Sequence, residues 1–272
     1  DEIVVIVNDD EYGGAGGAFS TISTNALATD VFIHEYGHTF TRLADEYDYA
    51  YPNYPACSDV NGPACEANVT DVNNRNDLKW SYFVAQSTPV PTPVDSGYNH
   101  LTGLFEGARY LDTGMYRPIN SCNMRDLGAA FCDVCKEAYV LKVYDVNYAD
   151  GGKLSLIEPG TTIPSNTSPD GMVSVPMNFS VDTLQPSHDL SVTWLVDNVP
   201  QTTGNSSVVT QSYEFTPTQT GMTSVKIRIK DNSPMVHNSR QNELPTFEHE
   251  WTVDVQPFDD IIFENGFEQP NP

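Results

Sequence analysis

Residues 34–38 read His34-Glu35-Tyr36-Gly37-His38, an H-E-x-x-H pattern. On an α-helix, positions i and i+4 lie on one face about one turn apart. Two imidazoles so placed can bind one Zn²⁺ at about 2.0–2.1 Å each. Glu35 follows the first ligand and can lean toward a metal-bound water without touching the metal. It then acts as general base, while zinc lowers the water's pKa and polarises a scissile carbonyl. The plainer reading is an ordinary helix with His34 and His38 on a solvated face.

These residues need a helix, and the sequence predicts one within 25–47. Thr29 or Asp30 can cap its N-terminus, and Val31, Phe32 and Ile33 can bury its other side. A catalytic zinc also needs a third protein ligand and one open position. Six residues after His38, a common place for that ligand in zinc peptidases, stands Ala44, which cannot ligate. Asp45 and Glu46 follow. Asp45 is the preferred third ligand, with Glu46 or a residue more distant in the sequence as the alternatives. On a straight helix Asp45 would sit about 10 Å beyond His38 along the axis. The helix must therefore break between Thr39 and Leu43, although nothing in that segment forces a break. Further candidates lie downstream. Tyr110 and Tyr116 could polarise a carbonyl opposite the metal. His100 could stabilise an oxyanion, and Arg117 could hold a substrate carboxylate. Each also has a plain structural role as a packing, surface or ion-pairing side chain. Met124 suits a polarizable side chain packed beneath the imidazoles.

The chain has 272 residues, 13 Lys and Arg against 37 Asp and Glu, and a formal net charge of −24. That balance disfavours nucleic acid and anionic membrane surfaces, which require basic patches. No apolar run reaches the length of a membrane span. The acidic loops Asp9-Asp10-Glu11 and Asp45–Asp48 are candidate Ca²⁺ binders, without the 12-residue EF-hand pattern. Cysteines stand at 57, 65, 122, 132 and 135. Cys57 and Cys65 flank a loop and read as a disulfide. A second disulfide is expected among Cys122, Cys132 and Cys135, leaving one buried thiol. Disulfides, and the lack of a leader at Asp1, suit the mature form of a secreted, extracellular protein. Asn68, Asn166, Asn178 and Asn205 occupy N-x-S/T sequons, for which no glycans are expected.

Residues 2–8 read as a buried strand. The segment Gly13-Gly14-Ala15-Gly16-Gly17 lacks phosphate-binding spacing and reads as a flexible loop. It leads to a strand over 18–23 that could line the cleft and pair with an extended substrate. Residues 48–125 are rich in Pro, Asn, Gly and Tyr and read as binding loops. A helix is predicted over 129–145. Asp150-Gly151-Gly152 reads as a linker, and short alternating segments follow, including 173–181, 191–196, 224–230 and 250–255. They predict an all-β immunoglobulin-like sandwich with Trp194 facing inward. The expected domains are a catalytic domain over 1–150, the sandwich over 151–256 and a tail over 257–272. The tail is similar to C-terminal signature segments of secreted bacterial proteins.

One combination is more specific than H-E-x-x-H alone. Asn8 with Tyr12-Gly13-Gly14, the His34–His38 motif and Leu43-Ala44-Asp45-Glu46-Tyr47 come first. Glu66-x-Asn68-Val69-Thr70, Lys79-Trp80, Glu106-Gly107-Ala108-x-Tyr110 and Tyr116-Arg117-Pro118 follow, then Cys122-x-Met124 and Phe131-Cys132-x-x-Cys135. Together they resemble the IgA-peptidase family of zinc metallopeptidases, in the metzincin group, over about residues 1–145. The resemblance implies an α/β metzincin-like peptidase domain preceding the sandwich. It implies one catalytic Zn²⁺ held by His34, His38 and Asp45, Glu35 as base, and Met124 as the Met-turn residue. It also implies a secreted endopeptidase acting on protein or peptide substrates. It does not imply that immunoglobulin A is cleaved. The chain departs from the family at Thr41-Arg42, where glycine is usual, and by beginning almost at its first strand. Two rival functions remain open. One is a secreted adhesion module that binds glycan or protein, with a structural or vestigial zinc. The other is an exopeptidase.

Overall fold

A computed structural model describes residues 3–144 and 154–258. The predicted linker at 150–152 and nearly all of the tail lie outside the described residues. Two compact units are present: Asp1–Lys153 with Ser233–Glu243, and Leu154–Asn232 with Leu244–Pro272.

In the first unit, β1 (Val4–Ile6), β2 (Gly14–Ala15) and β3 (Ser20–Ile22) form a small sheet in the order β1-β3-β2. β3 runs parallel to β1 and antiparallel to β2. Both edges of β3 are therefore occupied, so it is not the strand that could receive a substrate; the outer edge belongs to β2. The expectation of a buried first strand also fails, because Val4, Val5 and Ile6 are all exposed.

The motif helix α1 spans Ala28–Thr41, within the predicted 25–47. Thr29 and Asp30 fall inside its first turn rather than at its cap. The turn before it is shaped by Asn25, whose Oδ1 accepts from Leu27 N–H at 3.0 Å. Its end lies where the reach of Asp45 requires. Arg42 takes the left-handed conformation (φ 56°, ψ 38°), with Arg42 N–H donating to His38 O and Leu43 N–H to Gly37 O. That is the double bond of a helix-terminating cap, normally built on glycine because Cβ is disfavoured there. After it residues 42–48 form neither helix nor strand.

Ordinary loops then fill most of the unit up to α2 (Asp133–Val143), apart from the hairpin of β4 (Phe105–Ala108) and β5 (Leu111–Arg117). Trp80, Leu104, Cys122, Met124, Val134 and Ala138 pack as the core beneath them. A loop replaces regular backbone pairing with side-chain bonds, as where Asn68 bonds both the N–H and the C=O of Ala44 at 2.9 Å. Asn68 is fully buried, which closes its sequon to a glycan in the folded chain.

In the second unit, β6 (Asp170–Met172), β7 (Met177–Asp182), β8 (Leu190–Val196), β9 (Val199–Ser206), β10 (Thr210–Phe215), β11 (Gly221–Asp231) and β12 (Thr246–Gln256) follow in order. They form a five-stranded sheet, β6-β12-β11-β8-β9, and a two-stranded sheet, β10-β7. Alternation places Val192, Trp194, Val225, Ile227, Trp251 and Val253 inside. Trp194 stacks on Trp251 with ring centroids 6.1 Å apart.

The expected α/β metzincin-like domain is overturned. Regular structure among the described residues is mostly β-strand, with α1 and α2 as the α-helices. The first unit's sheet has strands of only two or three residues, too small to be a layer covered by helices. The motif helix is present at 28–41, but the Pro/Asn/Gly-rich stretch after it contributes only the β4–β5 hairpin and no further α-helix to complete such a layer.

Because Arg42 replaces glycine in a left-handed cap, Arg42→Gly is expected to leave the fold intact and raise the thermal midpoint. Arg42→Val is expected to lower stability by about 1–2 kcal/mol. Calorimetry of both variants measures this.

Candidate metal centre

Helix periodicity brings His34 and His38 to one face, and the cap at Arg42 turns the chain so that Asp45 meets them. His34 Nε2 lies 3.1 Å from His38 Nε2 and 3.1 Å from Asp45 Oδ1. His38 Nε2 lies 3.2 Å from Asp45 Oδ1. Three donors about 2.0–2.1 Å from one ion at tetrahedral angles stand about 3.4 Å apart, so the spacing fits a zinc ion.

Tautomers sharpen the fit. His34 Nδ1 bonds Asn123 O at 2.9 Å and His38 Nδ1 bonds Leu43 O at 2.7 Å. A carbonyl only accepts, so each Nδ1 carries the proton and each neutral Nε2 presents a lone pair. Asp45 Oδ2 accepts from Tyr110 O–H at 2.7 Å, leaving Oδ1 for the centre. Two lone pairs and a carboxylate oxygen thus face one another, an arrangement that a cation or added protons must compensate. Every ligand has a second bond that orients it, as metal ligands generally do.

The surrounding elements explain how these partners arrive. The loop at 122–125 gives Asn123 O to His34 and Met124 O to Glu46 N–H, the latter at 2.8 Å. Met124 is fully buried, and a Cβ added at Gly37 would come within 2.8 Å of its Sδ. The thioether therefore presses directly on the helix between the two histidines. On the other side, a Cβ at Gly16 would meet His38 Cβ at 2.6 Å and Glu35 O at 2.8 Å. Gly14 and Gly16 are thus packed against α1, whereas Gly13 and Gly17 face open space. Thr39 Oγ1 secures the segment, accepting from Gly17 N–H at 3.3 Å and from Ser20 Oγ at 2.8 Å.

The cleft holds about 890 Å³ and is lined by Gly13–Gly17, His34, Glu35, His38, Asp45, Tyr47, Tyr51, Tyr54 and Tyr110. Burial raises the Glu35 carboxyl above its ordinary value, with the charges of His38 and His34 acting against it. Burial also works to raise Asp45, but His34 and His38, which donate to it once protonated, and the Tyr110 hydroxyl outweigh burial and hold that carboxyl low. For His38, burial pulls the pKa down, yet the Asp45 bond and charge prevail and raise it.

Other candidates separate from the centre. Glu46 follows Asp45 and projects away, its Oε1 accepting from Asn68 at 2.9 Å. Tyr110 reaches the site, but as the partner of Asp45 rather than toward a substrate carbonyl. Tyr116 is buried in β5, its backbone paired with Thr70, and His100 is exposed. Neither lines the cleft. Arg117 is buried and donates to the carbonyls of Glu106 and Gly107 and to Asn120 Oδ1, so it forms a carbonyl clamp rather than an ion pair. The acidic stretch 45–48 makes no Ca²⁺ site, because Asp45, Glu46 and Asp48 have separate partners; Asp48 pairs with Arg125 at 2.9 Å. The tyrosine wall at 47, 51 and 54 was missed. The run Tyr47-x-Tyr49-x-Tyr51 is its sequence signal.

Residues 1–99 match the family described as IgA Peptidase M64. The match supports that peptidase family at the level of this domain. It covers His34, Glu35, His38 and Asp45, but not Tyr110 or Met124. No curated protein matches the sequence. Among solved structures, fibronectin(III)-like modules of Clostridium thermocellum CbhA are 10% identical, covering 34% of this chain and 90% of theirs at a TM-score of 0.26. A CARDB domain from Pyrococcus furiosus is 15% identical, covering 33% and 86% at 0.25. Likeness at these scores carries no argument.

Two outcomes follow. Removing the bond to Asp45 by Tyr110→Phe is expected to weaken zinc affinity about 10–100-fold, as measured by competition with a fluorescent chelator. Protons compete with metal at His38, whose pKa is raised above 6.5. Zinc affinity should therefore fall with decreasing pH from a higher pH than an ordinary imidazole would give. Titrations between pH 5 and 9 (a range of about four units around the histidine value) measure this.

Proposed function

We propose that this chain is a secreted zinc-dependent endopeptidase acting on protein or peptide substrates. The observation that carries the reading is the facing of His34 Nε2, His38 Nε2 and Asp45 Oδ1 within about 3.2 Å, with Glu35 beside them in one cleft. The peptidase-family match over residues 1–99 supports the same chemistry.

His34, His38 and Asp45 would hold the ion. When bound, zinc supplies Lewis-acid polarisation of the scissile carbonyl and lowers the pKa of the attacking water. Glu35 takes a proton from that water and delivers it to the leaving amine. Burial in the cleft wall raises its carboxyl, which suits a group that must both take and return a proton. Gly16 packs against Glu35, where a Cβ would come within 2.8 Å of the Glu35 carbonyl oxygen. The outer edge of β2, at the rim of the cleft, offers backbone groups to an extended peptide passing across the site. An edge of this kind favours cleavage within a chain over trimming from an end. Tyr47, Tyr51 and Tyr54 give the cleft an aromatic lining suited to apolar or aromatic side chains.

Glu35→Gln is expected to retain zinc and lower casein hydrolysis by about 10²–10⁴-fold. Chelation should abolish wild-type activity and zinc should restore it. Full turnover by Glu35→Gln would refute its role as base. Wild-type activity indifferent to chelation would refute the metallopeptidase reading.

A further inference from the structure

A second group of metal-type ligands lies behind the first, in the same unit. Cys122, Cys132 and Cys135 are all buried and all free thiols. The disulfide expected among them is therefore absent, while Cys57 and Cys65 do form one. Cys122 Sγ and Cys135 Sγ stand 3.7 Å apart, far beyond the ~2.05 Å of a bond. The three sulfurs and a Glu46 carboxylate oxygen all lie within 4.8 Å of one another. Glu46 is wholly buried, and its Oε2 has no hydrogen-bond partner. A buried carboxylate oxygen left bare is costly, and three thiols cannot satisfy it well.

We propose that Cys122, Cys132, Cys135 and Glu46 bind a structural zinc ion, separate from the His34–His38–Asp45 centre. Thiolates about 2.3 Å from one tetrahedral zinc lie about 3.8 Å apart, close to the Cys122–Cys135 spacing. Four protein ligands close the coordination sphere, as structural sites require. The elements suit the charges. Cys132 caps α2, its Sγ accepting from Cys135 N–H at 3.5 Å, so the helix N-terminus favours thiolate. Cys132 N–H donates to Cys122 Sγ at 3.3 Å. Arg125 binds the Glu46 carbonyl at 2.9 Å, and its guanidinium with that of Arg117 offsets the excess negative charge.

The position also gives the ion a task. Glu46 adjoins Asp45, and Cys122 adjoins Asn123, whose carbonyl orients His34. One zinc would thus pin together the 44–46 segment, the 122–124 loop and the start of α2, where few regular backbone bonds do so. Zinc would also protect these thiols from oxidation in an oxidising compartment, since a bound thiolate is no longer a free nucleophile.

The test uses the full chain, reduced, loaded with excess Zn²⁺ and then desalted. Metal analysis and X-ray absorption at the zinc edge are run on wild type, on the His34→Ala/His38→Ala double variant and on Cys132→Ser/Cys135→Ser. Two zinc ions per chain are expected in wild type. One is expected in the histidine variant, with a sulfur shell at about 2.3 Å. The cysteine variant should lose that shell, and Glu46→Gln should surrender the sulfur-bound zinc to chelator faster. Wild-type spectra alone decide the matter if a variant fails to fold. Zinc ligated only by nitrogen and oxygen, or a Cys122–Cys135 disulfide found by mass spectrometry in unreduced protein, would overturn the proposal. Neither result bears on the histidine centre, whose own failure would appear as a missing imidazole nitrogen shell.

Discussion

Two imidazole lone pairs and a carboxylate oxygen are held face to face, and the rest of the first unit is arranged around that constraint. Left alone, these groups repel or take up protons. They stay converged because each is oriented from behind by a group that can act only one way. Leu43 O and Asn123 O can only accept, so both Nδ1 atoms are protonated and both Nε2 atoms turn inward. Tyr110 O–H donates to one oxygen of Asp45, so the other faces the histidines. A cation is the natural counterpart of such a set.

Loops supply most of this orientation, at an entropic cost that regular structure would avoid. The first unit meets that cost with buried side chains that substitute for backbone ladders. Asn68 ties Ala44 and Glu46, Arg117 clamps the carbonyls of 106 and 107, and Arg109 grips Glu66 through two bonds of 2.8 and 3.0 Å. Met124 and the glycine segment then approach α1 from two sides, as near as missing side chains at Gly37 and Gly16 allow. A thiol and carboxylate cluster sits among the same segments, at the one place where loop 122–125, residue 46 and α2 meet.

How much was legible depended on the range of the interaction. The placement of His34, Glu35 and His38 on one helix follows from a 3.6-residue period, and the strands of the second unit follow from alternation. The need for a break before Asp45 was also readable, from 1.5 Å per residue. Its mechanism was not, since Arg42 adopts a backbone conformation that its side chain does not favour. Tyr116, Arg117 and His100 looked equivalent to Tyr110 in a loop-rich stretch. The separation of Tyr116 and Arg117 from Tyr110 depends on how the β4–β5 hairpin faces the core, and that of His100 on the loop before it, and no local pattern encodes either. The α/β expectation failed because resemblance in motifs was extended to segments with no periodicity of their own.

By itself the sequence determined the acidic character, the ligand types, their spacing along α1, the Cys57–Cys65 loop and the alternating strands. These are set by composition and by contacts between residues near in the chain. Only the tertiary structure decided that Asp45 rather than Glu46 faces the histidines, that Tyr110 serves Asp45, and that three cysteines converge without bonding. Those outcomes join residues up to 89 positions apart. Such contacts depend on how the loops satisfy their own buried polar groups, a condition that belongs to the whole unit rather than to any segment of it.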